Sequence, residues 1–428
     1  MKRKYEDFST APGMSTWVDA SPEYKRQYIE RQKSKEIKKE LLTLVKLPKE
    51  ETTLIEPIET PIEPSGSQSI ELITTIEKNS SGVVTAAYYG EEVLKKKKVK
   101  RRYPLIEITP NTAASNFIDD KFFDSIKYEI TDKPLGKILL ISDVRGWAWW
   151  NKSNYIKRYL SDEFHFDIIN ALEVRNNAID CNKYDLYVTY GYSYITMVRR
   201  ADISKRVTGI TAHRPTEVIS PMMNKARYLH ANSMLLYNEL LQMAKPSQKC
   251  YYVPNGVDEV LFHEVTPIKA DGELVAGHVG KKCDVKGQDE FILPAIEKAG
   301  VQSIYNMNDY RDRKPYTEMW KMYQNMDVFI VASVEDGTPN GALEAAACGR
   351  PIISNRIGNM PEFIVDGENG FLVERNVDAY VEKLEYFKNN RAELIRMGKN
   401  ARKTVEMSWT WKQQAENWRA MFTDILVK

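Results

Sequence analysis

The sequence predicts an α/β fold: two Rossmann-like units in tandem behind a charged N-terminal extension of low order. Three observations carry that expectation. Short apolar runs alternate with amphipathic helical stretches from about Leu135 onward, the alternation starts afresh at Leu274, and neither pattern is persistent before about Leu135.

A chain of 428 residues has room for two or three domains with cores of their own. With 43% hydrophobic and 28% charged residues, and no apolar run of bilayer length, it reads as a cytoplasmic globular protein and not a polytopic membrane protein. The opening MKRKYEDFST is basic, but no apolar segment follows it, which argues against a secretory signal. Cys181, Cys250, Cys283 and Cys348 are scattered without CxxC spacing, as reduced thiols are, so no disulfide framework or zinc site is expected.

Charge is unevenly spread. Residues 1–104 hold 20 Lys and Arg against 16 Asp and Glu; the remainder holds 41 against 43. Within the extension, a helix is expected from Ser21, with Pro22 at its first position, to the residue before Pro48. Residues 50–77, with seven glutamates, three prolines and no Lys or Arg, read as a linker. Lys95–Arg102 places seven cations in eight positions, a composition that suits a solvated linker or a contact with nucleic acid or another anionic surface.

The first unit follows. KILLIS (137–142) is a short apolar strand, NKSNYIKRYL a helix, FHFDIINA a second strand, and YDLYVTYG and RVTGITAH two more. The second unit begins with the strand LVAGHVG (274–280), continues through a helix near DEFILPAIEKAG and the strand DVFIVAS (327–333), then the helix NGALEAAACG and the strands PIIS and GFLV. Joined near PNGVDEVLF, the two units face each other across a cleft at the carboxyl ends of their strands, where open α/β sheets bind ligands.

The most informative segment is EDGTPNGALEAAACGRPII, Glu335–Ile353. A buried strand ends at Ser333, a loop holding Gly337, Pro339 and Gly341 follows, and a helix then runs to Gly349, placed as a left-handed C-cap. A helix N-terminus presents unpaired N–H groups and partial positive charge, which suits a diphosphate. Asp336 before the turn and Glu344 inside the helix can accept hydrogen bonds from two sets of hydroxyls, those of a sugar and a ribose. In VGKKCDVKGQDEF, Lys281 and Lys286 stand five apart after a strand, where both can approach the same pair of phosphates.

These motifs resemble the retaining GT-B glycosyltransferases of family four. The resemblance rests on VGK-KCDV-KG with Lys281, Lys286 and Gly287, on DGTPNGALEAAACGRPII, and on YVPNGVDEVLF (252–262), GNMPEFIVDGENGFLV (358–373) and SWTWKQQAENWRAMF (408–422). It spans about residues 135–428 and implies the GT-B fold: an acceptor-side Rossmann-like domain (105–265), a donor-nucleotide domain (266–407) and a terminal helix (408–428) that packs back on the first, behind the extension 1–104. That helix would include Trp409, Trp411 and Trp418.

The resemblance also implies roles. Glu344 binds the ribose of the donor nucleotide and Asp336 the hydroxyls of the transferred sugar. Thr338, Pro339, Asn340 and Gly341 line the loop with Gly337, and Lys281 and Lys286, beside Gly280 and Gly287, neutralise the diphosphate. His213, after the strand of TGITAHRPTE, matches a histidine near the donor sugar. Gly146 falls in a glycine-rich loop, where Trp147, Trp149 and Trp150 serve either as core or as a stacking platform. Two departures stand out: Lys281 where the family has Arg, and Asp336 where it has Glu, so that neighbouring Glu335 is a second candidate for the sugar hydroxyls.

The implied reaction moves a sugar, most simply the hexose of UDP-glucose, to an acceptor hydroxyl with retention. Neither metal nor cofactor is expected, and the sequence contains no Asp-x-Asp. Open acceptors are a glycan, a small molecule or a hydroxymethylated pyrimidine of DNA. A reading of another class is a GT-B protein that binds or scaffolds with weakened turnover.

Overall fold

The computed structural model describes residues 73–78, 84–89, 120–171, 173–174, 179–280, 283–307 and 314–427. The helix expected from Ser21, the cationic run Lys95–Arg102 and Lys281 lie outside them. The chain divides into two compact units, Lys35–Asn111 and the remainder.

In the smaller unit β1 (Ile73–Lys78) pairs antiparallel with β2 (Val84–Tyr89). The linker expected over 50–77 therefore gives way to a strand at Ile73. The β-branched ITTI and the VTAAYY opposite favour an extended, paired backbone over the solvated coil implied by the glutamates upstream.

The larger unit holds two lobes. In the first, β3 (Lys137–Ser142), β4 (His165–Asn170), β5 (Leu186–Thr189), β6 (Arg206–Ile210), β7 (Tyr228–Ala231) and β8 (Lys249–Tyr252) form a parallel sheet in the order β4-β3-β5-β6-β7-β8. In the second, β9 (Val275–Gly280), β10 (Gln302–Met307), β11 (Val328–Val331), β12 (Ile352–Asn355) and β13 (Gly370–Val373) are also parallel, in the order β10-β9-β11-β12-β13. Helices cover both faces, so strands such as VFIV are buried along their whole length and read as continuous apolar runs. Each such side chain contributes about 1.5–3 kcal/mol on burial.

Strand order fixes where a ligand binds. In the first sheet the chain moves from β3 to one side for β4 and to the other for β5, and in the second it does the same around β9. The loops after β3 and β5, and after β9 and β11, therefore diverge and leave a crevice at each switch point. The sequence motifs with Gly146, with Lys286 and with Asp336–Gly341 sit in these loops.

The helix Trp411–Leu426 opens with a capping box between Thr410 and Gln413. It crosses back to the first lobe, where Trp418, Met421, Phe422 and Ile425 pack among Ile138, Leu140, Phe164 and Val188. Lys249 pairs with Asp424 at 2.6 Å on its far turn. Trp411 stacks on Tyr155 of the first lobe, ring centroids 5.2 Å apart. Trp409 departs from the expectation: it belongs to a turn before the helix and packs on Phe363 of the second lobe. The two chain crossings between lobes meet here. The Val257 N–H donates to the Trp409 carbonyl (2.9 Å) and the Trp411 N–H to the Val257 carbonyl (3.1 Å), and a Cβ on Gly256 would lie 2.5 Å from the Trp411 Cα. No helix among the described residues is long and apolar enough to cross a membrane.

Candidate active site

The loop after β11 enters the helix Asn340–Ala347, which ends at Gly349 with φ +77°. The alanines of NGALEAAA and Leu343 bury one face in the core, which fixes the axis and points the N-terminal turn into the cleft between the lobes. That cleft encloses about 370 Å³. Gly146, Gly280, Lys286, Asp336, Thr338, Pro339, Asn340, Gly341 and Glu344 all line it, so the structure brings together most of the residues that the sequence singled out.

Glu344 lies one turn into that helix. Part of its surface faces the cleft, yet protein surrounds the carboxylate, and burial lifts its pKa to about 7 against the smaller opposing effect of the Tyr323 hydroxyl, which donates to Oε2 at 2.5 Å. Lys286 ends a short 3-10 turn, Asp284–Lys286, closed by Gly287 at φ +66°. A Cβ at Gly287 would meet the Ala332 carbonyl at 2.5 Å, so this glycine lets the lysine loop lie against the end of β11 and does not itself line the cleft. The Lys286 ammonium reaches Asp336 at 2.5 Å. The cation assigned to phosphate and the acid assigned to sugar hydroxyls thus satisfy each other, and a ligand that engages either must share or displace this pair.

Gly337 also stands behind the lining. A Cβ there would fall 2.2 Å from the Asn232 Oδ1 and 2.5 Å from the Thr211 carbonyl, so the loop can press on the first lobe only because the residue is glycine. The Thr338 hydroxyl donates to the Asn232 carbonyl at 3.3 Å across the same contact. Glu335 is turned away from the cleft by an ion pair with Arg214 of the first lobe, which corrects its candidacy for sugar binding: Asp336, despite its shorter arm, is the acid presented to the cleft.

His213 stands close by, with its Nε2 buried and unpartnered. It is buried behind the lining, its Nδ1 shared with Glu239 at 2.6 Å. Burial opposes its charging, but Glu239, with Asp336 and Glu335 beyond it, raises its pKa above the usual histidine value. Gly146, at φ +68°, turns the chain into the helix Ala148–Leu160. Trp147 and Trp149 line the cleft, while Trp150 is buried beneath the Arg145 guanidinium, so the tryptophan cluster divides between platform and core.

The sequence reading missed other lining groups. His278 in β9 donates through Nδ1 to the Ile330 carbonyl at 2.8 Å, and burial lowers its pKa to about 4. It is therefore neutral, with the unpartnered Nε2 lone pair available to a hydroxyl. Asn255, inside the quoted VPNG motif, donates to the Asn340 Oδ1 at 2.9 Å and ties the interlobe connection to the donor loop. Lys152, Lys314, Tyr316, Asn151 and Asn232 are further additions; a lysine on an otherwise apolar helix face was the available signal for the first.

Comparison with known proteins agrees with this geometry. Residues 305–404 match the family described as glycosyl transferases group 1. The matched residues lie in the second lobe. Over 225 residues the chain is 27% identical to an uncharacterized glycosyltransferase of Methanocaldococcus jannaschii, covering 52% of this chain and 60% of that one. It spans 26% and 28% of the next two curated relatives. Among solved structures, the sucrose-phosphate synthase of Thermosynechococcus elongatus superposes with a TM-score of 0.55 at 15% identity, over 68% of this chain and 98% of that one. Anabaena HepE in complex with UDP and glucose superposes at 0.53 and 14% identity, over 68% and 100%. The fold is GT-B.

Proposed function

We propose that the protein is a retaining, metal-independent glycosyltransferase that moves a sugar from a nucleoside diphosphate sugar to an acceptor hydroxyl. One observation carries the reading: a helix N-terminus, the Lys286 ammonium and the Glu344 carboxylate open onto one cleft at the switch points of two facing parallel sheets. Glycosyltransferase relatives and the UDP bound to the HepE structure support a uridine diphosphate hexose as donor.

In this reading Glu344 accepts hydrogen bonds from the ribose hydroxyls and the N–H groups at Asn340 and Gly341 face the diphosphate. Lys286 leaves Asp336 to neutralise the charge that develops on the departing phosphate, and Lys281 is assigned the same task. Asp336, released, accepts from the sugar hydroxyls. The departing phosphate oxygen takes the acceptor proton on the face that the nucleophile enters. The Trp147 and Trp149 rings and the first lobe exclude water.

Incubation with a panel of sugar nucleotides, in EDTA, tests the proposal. Slow donor hydrolysis, or transfer with retained anomeric configuration, is expected for one nucleotide class. Binding of no nucleotide sugar, or activity restored only by a divalent cation, would overturn it.

A further inference from the structure

The first lobe's wall of the cleft carries a charge that the donor reading does not use. Lys152 lies on the helix Ala148–Leu160, is 1% exposed and lines the cleft. Its ammonium has no hydrogen-bond partner. Around it stand the Tyr190 ring at 5.0 Å and the Trp418 ring at 5.9 Å, which offer only π faces. Burial lowers the Lys152 pKa to about 7 against a smaller opposing field from Asp143, which makes no hydrogen bond to the nitrogen, and His230, its Nε2 held by the Thr189 carbonyl, is kept neutral by burial. A buried ammonium with unused donors is costly, and the same space accepts an aliphatic side chain at no such cost.

Asn151 and Asn232 line the same cleft, and their Oδ1 atoms are buried and unpartnered. A cation with free donors and two free amide acceptors on the lining of one cleft match a ligand with an anionic group and hydroxyl protons. The second lobe supplies its own groups for the donor diphosphate. We propose that this wall is an anion subsite for the acceptor, in which Lys152 receives a phosphate or carboxylate group of a hydroxyl-bearing acceptor. The inference rests on the donor reading above for the word acceptor, and on the lysine's surroundings alone for the anion.

The test titrates inorganic phosphate and, separately, acetate into the full chain saturated with UDP, for wild type and Lys152→Met, by calorimetry. One anion should bind the wild-type complex and bind Lys152→Met at least tenfold more weakly, with UDP affinity equal in the two proteins; the stronger anion distinguishes phosphate from carboxylate. The unliganded variant should melt at the same temperature or a few degrees higher, because an unpaired buried charge has gone. Equal anion binding by both proteins, no anion binding by wild type, a loss of UDP affinity in the variant, or a lowered melting temperature would each overturn the proposal. Should wild type bind no UDP, the donor reading fails instead, and the same anion titrations on the nucleotide-free protein still decide the role of Lys152.

Discussion

Replacing Glu344 with Gln separates the role of its charge from the role of its shape. In the folded chain burial raises the carboxyl pKa to about 7, against 4.5 for the free side chain. The folded state therefore holds the proton more tightly, stability is fully present below the unfolded pKa, and it is lost as pH rises through about 4.5 to 7. A shift of this size corresponds to about 3 kcal/mol between the two ends of that window. Chemical denaturation of wild type and Glu344→Gln at pH 4.5, 6 and 8 should show the variant gaining on wild type by up to that amount and then holding level. Donor affinity should move the other way: as an ionised acceptor of ribose hydroxyls, wild-type Glu344 binds better with rising pH, while the variant is flat and weaker by about 1.5–3 kcal/mol at pH 8. Parallel stability curves, or a variant with wild-type donor affinity at pH 8, would refute the buried ribose-binding carboxylate.

Lys286→Met should weaken UDP binding about 10- to 100-fold and leave uridine binding nearly unchanged, measured by calorimetry, because the ammonium meets only the diphosphate. Gly337→Ala should destabilise by about 1–3 kcal/mol in denaturant unfolding, since its Cβ would stand 2.2 Å from the Asn232 Oδ1. Tyr323→Phe removes the hydrogen bond that favours ionised Glu344; the pH midpoint of donor binding should rise by about one unit or more, and an unchanged midpoint would contradict the contact.

Both lobes were legible because their central strands are unbroken apolar runs. KILLIS and VFIV cannot be solvated, and the glycine-punctuated loops after them mark strand-to-helix turns. β7 and β8 escaped notice because YLHA and KCYY are four-residue strands whose His230, Lys249 and Cys250 interrupt any period. His230 is nonetheless wholly buried, held by the Thr189 carbonyl, a contact made across 41 positions and invisible locally. In the site, the convergence of Lys286, Asp336 and Glu344 on one cleft was expected from the sequence, because two strand-to-helix loops and the helix after the second carry them. The turning away of Glu335 was not, since Arg214 comes from the other lobe. Lys152 was passed over for the same reason: its sequence neighbours are ordinary helix residues, and only the rings of Tyr190 and Trp418, 38 and 266 positions later, leave its ammonium unpaired.

The helix that crosses back from the second lobe has a consequence for how the chain is made. Ile138, Leu140 and Phe164, in the first elements of the first lobe, are sealed from water by Trp418 and Phe422, which follow the whole second lobe in the chain. The lobe synthesised first thus waits for residues made after the second, and until then one side of its sheet stays greasy and open to other chains. Removing Trp418 and Phe422 would leave every residue that lines the cleft encoded and yet yield a protein prone to clump during synthesis.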